Sequence, residues 1–235
     1  MSTSTAVGPS AGARQQFGEG PLARVAALIY CLLTIDLLIL AASAPGIAAL
    51  FLLARDAADA PLAVVCMLPV GPALSAALYA LRHHRGDLTD LRPAAEFCRG
   101  YRLNVGGVLR LWIPWLAGMA LVAENLSHVK AAAMPGWWAA VTVVFAVAAT
   151  LWMANALVIT SLFAFRPVDV ARLAAYFLGR TRSVPLGTLC LLIVAIGIVD
   201  VASEAVLALL AVVFVGALLR YAEPMIAKVK EEFTA

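Results

Sequence analysis

The chain has 235 residues, of which 63% are hydrophobic and 13% are charged. A mean hydropathy of +0.94 excludes an ordinary soluble domain. A formal net charge of +3, spread over several segments, does not indicate a nucleic-acid-binding protein. Apolar runs of about 18 or more residues recur, and runs of that length predict membrane-spanning helices.

The first span is predicted at about residues 25–53. Residues 1–20 before it are rich in Ser, Thr, Ala and Gly. They lack the short apolar core and cleavage site of a signal peptide, so we expect a disordered tail there. Pro45 and Gly46 fall inside the first span and predict a kink or a break.

Three further spans are predicted, at residues 62–81, 106–123 and 138–165. The span at residues 62–81 contains Pro69 and Pro72, and we expect it to be bent or partly unwound. Trp137 and Trp138 precede the fourth span and are typical of the aromatic belt at an outer membrane surface.

The last apolar stretch, Val184 to Leu219, is too long for one span. Asp200 and Glu204 interrupt it near its middle, which favours two short helices with both acids at the outer surface. One long helix and a re-entrant pair are the alternatives. The sequence thus predicts an all-α polytopic transmembrane bundle of about six spans over residues 21–222, with a cytoplasmic tail at 223–235.

The distribution of basic residues predicts the orientation of these spans. Of the 17 Lys and Arg residues, all but Arg55 and Lys130 fall in or next to the two terminal segments and alternate connections between the spans. Cytoplasmic segments of membrane proteins carry an excess of Lys and Arg. Both termini are therefore expected in the cytoplasm, and the interspan segments with most arginines on the same side.

Two of these cytoplasmic segments form a weak internal repeat. Matching residues lie 80 positions apart (172 minus 92, 182 minus 102). The matches include Arg92 with Arg172, Phe97 with Phe177 and Arg102 with Arg182. The arrangement resembles a parallel duplication of about residues 62–125 and 142–205.

Each repeated segment has the pattern of an amphipathic helix, with Asp90 and Asp169 as plausible N-caps. These two helices could lie along the inner membrane surface, with arginines reaching lipid phosphates, or could dock a partner protein. Buried Phe97 and Phe177 would favour anchoring, and exposed ones would favour docking. The candidate docking residues are Arg92, Phe97, Arg99, Tyr101, Arg102, Arg172, Phe177, Arg180 and Arg182.

Asp36 and Asn155 are candidate polar residues within the membrane. Asp36 lies 12 residues beyond Arg24 (36 minus 24), about 18 Å along the helix axis. A carboxylate at that depth indicates either a functional site or an interhelical hydrogen bond, with Thr34 or Asn155 as the expected partner.

No motif of an enzyme, a cofactor site or a metal site is present in the sequence. It has no P-loop, GxSxG or HExxH pattern, and its four cysteines show no CxxC spacing. His83 and His84 are adjacent, so on a helix they point about 100° apart and are poorly placed to chelate one metal. A non-enzymatic protein without a cofactor is predicted.

A motif between Met67 and Asn104 combines a proline-rich stretch with an arginine-containing segment. Its elements are Leu68-Pro69, Gly71-Pro72-Ala73, Ala76-Ala77-Leu78-Tyr79, Arg82, Phe97, Tyr101-Arg102 and Asn104. The motif resembles the YesL-like family of small bacterial integral membrane proteins, a domain of unknown function. The resemblance covers roughly Val25 to Leu219, and the chain departs from the family pattern by extra residues between Gly46 and Cys66.

The resemblance implies a multi-pass protein of the bacterial inner membrane that accompanies carbohydrate ABC importers. A non-enzymatic accessory protein that contacts the permease or ATPase subunits is the first functional hypothesis. A small solute transporter or channel that uses Asp36 and the Pro/Gly-interrupted spans is the second. A membrane scaffold is the third. The lipid bilayer is the one partner that the composition itself predicts, and no nucleic acid is expected.

Overall fold

The computed structural model describes residues 21–52, 65–83, 92–128, 136–181 and 183–233. These residues are helical almost throughout and contain no strand, which confirms the predicted all-α class. The helices are α1 (Pro21–Leu52), α2 (Val70–His83), α3 (Pro93–His128), α4 (Gly136–Leu162), α5 (Pro167–Arg180), α6 (Ser183–Val201), α7 (Glu204–Leu209) and α8 (Ala211–Phe233). The predicted tail at 1–20, the predicted cap Asp90 and the docking candidate Arg182 lie outside the described residues.

Four of the described helices are long and apolar enough to cross a membrane. They are α1, α3, α4 and α6. The other two predicted spans correspond to α2, which has 14 residues, and to the pair α7 and α8, which have 6 and 23 residues. With 14 residues, α2 is about 21 Å long, less than the roughly 30 Å thickness of the hydrocarbon core.

Prolines interrupt the chain at one predicted position and leave it continuous at another. Of the kink or break expected at Pro45, the break is absent, since α1 continues through Pro45 to Leu52. The unwinding expected near Pro69 is present, since residues 67–69 form a turn before α2 begins. Pro69 and Pro72 both lack an N–H, so two donors of a regular helix are missing within four residues there, whereas Pro45 removes only one.

The two repeated segments differ in structure. The predicted separate surface helix and third span are one continuous helix, α3, of 36 residues. In the second copy, α5 ends at Arg180 and α6 begins at Ser183. Pro185 favours the break in the second copy, because in a continuous helix its ring would clash with the carbonyl four residues earlier, that of Thr181. Its counterpart in the first copy, Val105, has no such clash.

The predicted interruption near Asp200 and Glu204 is confirmed. Helix α6 ends at Val201, and Ser203 caps α7 by accepting a hydrogen bond from the Val206 N–H at 3.4 Å. Both acids are exposed. The chain then returns through α8, which packs against α6.

The described core is centred on α2, which contacts α1, α3, α4 and α8. Small side chains permit this close packing, and Gly71 lies directly under the Trp112 ring, where an added Cβ would come within 2.6 Å of the indole. Burial is uneven along the long helices. No described residue is buried in α3 beyond Leu116, in α4 before Met153 or in α6 beyond Thr188.

Candidate functional site

Helix α5 links two membrane-length helices, and its start is set by Pro167. The preceding Arg166 is extended, with φ −68° and ψ 145°, and makes no side-chain cap. Proline is favoured at the first helical position because its missing N–H would lack a partner there. The prediction that Asp169 is the N-cap is therefore wrong. Asp169 lies in the first turn, where its charge still interacts favourably with the helix dipole.

The inward face of α5 is fixed by packing and by two hydrogen bonds from α4. Phe177 and Ala174 are fully buried. The indole Nε1 of Trp152 donates to the Ala171 carbonyl at 3.0 Å, and the Asn155 Nδ2 donates to the Ala174 carbonyl at 3.5 Å. Because an apolar face and two polar contacts hold it, α5 has a fixed orientation on the bundle.

The outward face of α5 combines apolar and basic side chains. We call the exposed residues Val168, Arg172, Tyr176 and Arg180 the α5 face. Val168 is 61% exposed and Tyr176 46% exposed. The Arg180 guanidinium carbon lies 5.9 Å from the centre of the Tyr176 ring, a geometry typical of a cation–π contact.

A cleft of about 460 Å³ adjoins this face. Residues of α5, of the preceding link and of the C-terminal end of α8 line it: Phe165, Asp169, Arg172, Leu173, Tyr176 and Glu232. Its walls contain aromatic rings and charged groups of both signs.

In the first copy of the repeat, the predicted docking residues also divide into buried aromatic and exposed basic side chains. Phe97 is 4% exposed and belongs to the core, and its ring stacks with that of the half-buried Tyr101. Arg92, Arg99 and Arg102 are exposed. Phe97 and Phe177 are both buried, the outcome that favours anchoring of these helices over docking through the phenylalanines, and the outward surfaces carry arginines together with apolar side chains.

Asp36 is buried near the middle of the membrane-length part of α1. It is 4% exposed, and its Oδ1 accepts a hydrogen bond from the Val212 N–H at 3.1 Å. Neither predicted partner is correct. Thr34 donates to the carbonyl of Tyr30 in its own helix, and Asn155 donates to α5.

The break between α7 and α8 leaves the Val212 N–H without an acceptor in its own helix. The Asp36 carboxylate supplies that acceptor. Val212 is the second residue of α8, and the first N–H groups of a helix have no acceptor within it. The next two, those of Val213 and Phe214, both donate to the Leu210 carbonyl. Asp36 thus caps α8 from another helix.

A second polar contact was not predicted from the sequence. The hydroxyls of Ser75 in α2 and Ser161 in α4 are 2.8 Å apart and buried. Asn104 of α3 donates to the Ser161 carbonyl at 3.3 Å. Serines in two predicted spans were the available signal, but their pairing depends on the relative rotation of the helices.

The described residues contain no group of three or more His, Cys, Asp and Glu side chains that could hold a metal ion. Comparisons with protein-family models, with curated proteins and with solved structures find no match. The resemblance of residues 67–104 to the YesL-like family therefore stays a prediction.

Proposed function

We propose that this chain is a six-span protein of a bacterial inner membrane, with both termini in the cytoplasm, that acts as a non-enzymatic accessory subunit of a membrane complex. The α5 face carries the proposal. This face belongs to an amphipathic helix that is held in a fixed orientation between two spans. Its basic side is exposed and adjoins a cleft.

Contacts at one end of the bundle support the orientation. A Cβ on Gly100 would meet the Tyr79 ring, and one on Gly107 would meet the Thr160 side chain. The end of α2, the start of α3 and the end of α4 therefore lie together. The exposed arginines near these points are Arg82, Arg99, Arg102 and Arg110, and such a one-sided excess is typical of a cytoplasmic surface.

Two short elements complete the six spans in this proposal. One is α2 with the turn and the helical residues Val65 and Cys66 before it, and the other is α7 with the first half of α8. Helix α2 is buried among other helices, and broken or short helices are tolerated in a bilayer when protein surrounds them. Asp36 provides that protection at the start of α8.

A carbohydrate ABC importer is the proposed complex, and the motif at residues 67–104 is its only support. Tagged protein purified from native membranes in mild detergent should then recover the permease or ATPase subunits of such an importer. Arg172→Glu with Arg180→Glu should abolish this recovery without changing membrane insertion. Arg82→Glu, an exposed reversal away from the α5 face, is the control. Recovery of the chain alone during growth on several sugars would contradict the proposal.

The transporter and scaffold alternatives stay predictions. For a transporter, reconstituted protein should move a solute, and Asp36→Asn should alter the flux. The hydrogen bond from Val212 to Asp36 supports a structural role for that carboxylate instead. Unchanged flux in Asp36→Asn, with an unchanged unfolding midpoint, would remove Asp36 from any transport mechanism.

A further inference from the structure

One face of α3 changes from apolar to basic along its length. Between Leu121 and Arg99, at about 100° per residue, the exposed positions of α3 fall within an arc of roughly 120°. In order from the Leu121 end they are Leu121, Ala117, Pro114, Ile113, Arg110, Gly106, Leu103, Arg102 and Arg99. The same face that meets lipid tails at one end therefore carries arginines at the other.

The first arginine on this face, Arg110, lies within one helical turn of Ile113, and beyond it the face is mixed, with Leu103 63% exposed among the arginines. Ile113 is 51% exposed and Leu121 is 67% exposed, on a helix of membrane-spanning length. Arginines next to a lipid-facing surface extend toward the headgroups, where their charge remains hydrated. Arg110 is thus at the depth of the phosphates of those lipids whose tails cover Ile113.

Gly106 leaves an opening between two of these arginines. Arg102 and Arg110 lie four residues on either side of it, about 6 Å along the axis in each direction. No heavy atom lies within 4 Å of the position that a Cβ on Gly106 would take. Both guanidinium groups can reach over this bare stretch of helix, and guanidinium forms paired hydrogen bonds with phosphate.

The charges of these two arginines are not compensated within the described residues. Neither Arg102 nor Arg110 forms an ion pair there, whereas Arg220 on α8 contacts the Glu223 carboxylate at 3.3 Å. An uncompensated pair of cations beside a lipid-facing surface attracts an anionic lipid.

We propose that Arg102, Gly106 and Arg110 form a site for the headgroup phosphate of an anionic phospholipid, with its acyl chains along Ile113 and Leu121. The site is separate from the α5 face and does not depend on the accessory function proposed above.

Native mass spectrometry of the full chain, released from mixed micelles of phosphatidylglycerol and phosphatidylcholine, tests this site. The wild type should retain phosphatidylglycerol selectively. Arg102→Gln with Arg110→Gln should lower its retention by about five-fold for each arginine. Gly106→Leu keeps both charges but fills the opening, and should also lower retention. Arg172→Gln with Arg180→Gln on α5 is the matched control and should have little effect.

Several results would overturn the site. Unchanged phosphatidylglycerol retention in the Arg102 and Arg110 double variant would do so, and so would unchanged retention in Gly106→Leu. An equal loss of retention in the α5 control would show that the overall positive charge attracts the lipid and that no specific site exists. Displacement of the lipid by inorganic phosphate would show that the ligand is a free anion. Loss of an acidic protein partner with unchanged lipid retention would assign the arginines to protein docking. If the double variant unfolds, Arg102→Lys with Arg110→Lys replaces it, because lysine keeps the charge but loses the paired geometry.

Discussion

At the scale of single residues, Asp36 has the most specific role in the described bundle. Asp36→Ala leaves the Val212 N–H without an acceptor in an apolar environment, and should destabilise the protein by about 1–3 kcal/mol. Asp36→Asn keeps an acceptor oxygen and should cost less. Unfolding by a denaturing detergent measures both changes. The control is Thr34→Val, because the Thr34 hydroxyl bonds only to its own helix. Equal stability of Asp36→Ala and wild type would contradict the capping role.

Two glycines provide a matched test of packing around α2. Gly71→Ala places a methyl group 2.6 Å from the Trp112 ring and should destabilise by about 1–3 kcal/mol. Gly118→Ala points into open space and should be neutral, or stabilising by up to about 1 kcal/mol, because alanine favours a helix. The same detergent titration compares them. A Gly71 variant as stable as the Gly118 variant would show that α2 and α3 lie farther apart.

At the scale of elements, local chemistry predicted some features well and tertiary contacts determined the others. The interruption at Asp200 and Glu204 could be predicted because charged residues within an apolar run are costly in a bilayer. Pro185 is also a local signal, since it separates α5 from α6, and its absence from the first copy keeps α3 continuous. The partner of Asp36 could not be predicted, because Val212 is 176 residues away and contributes a backbone N–H that any residue could supply.

Helix α5 depends on α4 for its orientation, and Trp152 provides the test. Trp152→Phe keeps the ring packing but removes the N–H that donates to Ala171. Hydrogen exchange of the α5 amides should become faster, by about five-fold for a contact worth roughly 1 kcal/mol. The control is Trp137→Phe, since Trp137 is 63% exposed at the start of α4. Unchanged exchange in Trp152→Phe would mean that the packing of Phe177 and the Asn155 hydrogen bond hold α5 without this contact.

At the scale of the whole molecule, buried side chains and exposed arginines concentrate at the same end. The core residues of α3 and α4 lie toward Leu111 and Ile159, while the opposite portions of both helices have no buried residue. Helix association in a bilayer comes from packing and polar contacts and not from the hydrophobic effect. Buried contacts such as that of Ser75 with Ser161 therefore hold the arginine-rich end together, and the opposite portions of α3 and α4 contribute no residue to the described core.

The six-span arrangement predicts which positions are accessible from outside the cell. Single-cysteine variants at Ser127 and Glu204, both exposed, should react with a membrane-impermeant maleimide in intact spheroplasts. Native Cys98 and a cysteine at Glu231, also exposed, should react only after permeabilisation. Each variant requires the other cysteines to be replaced. Glu204 is decisive, because it is outside only if α6 crosses outward, and Glu231 is inside only if α7 and α8 return the chain. Labelling of both from the outside would mean that this pair does not cross the membrane, and α8 would then lie on the outer surface.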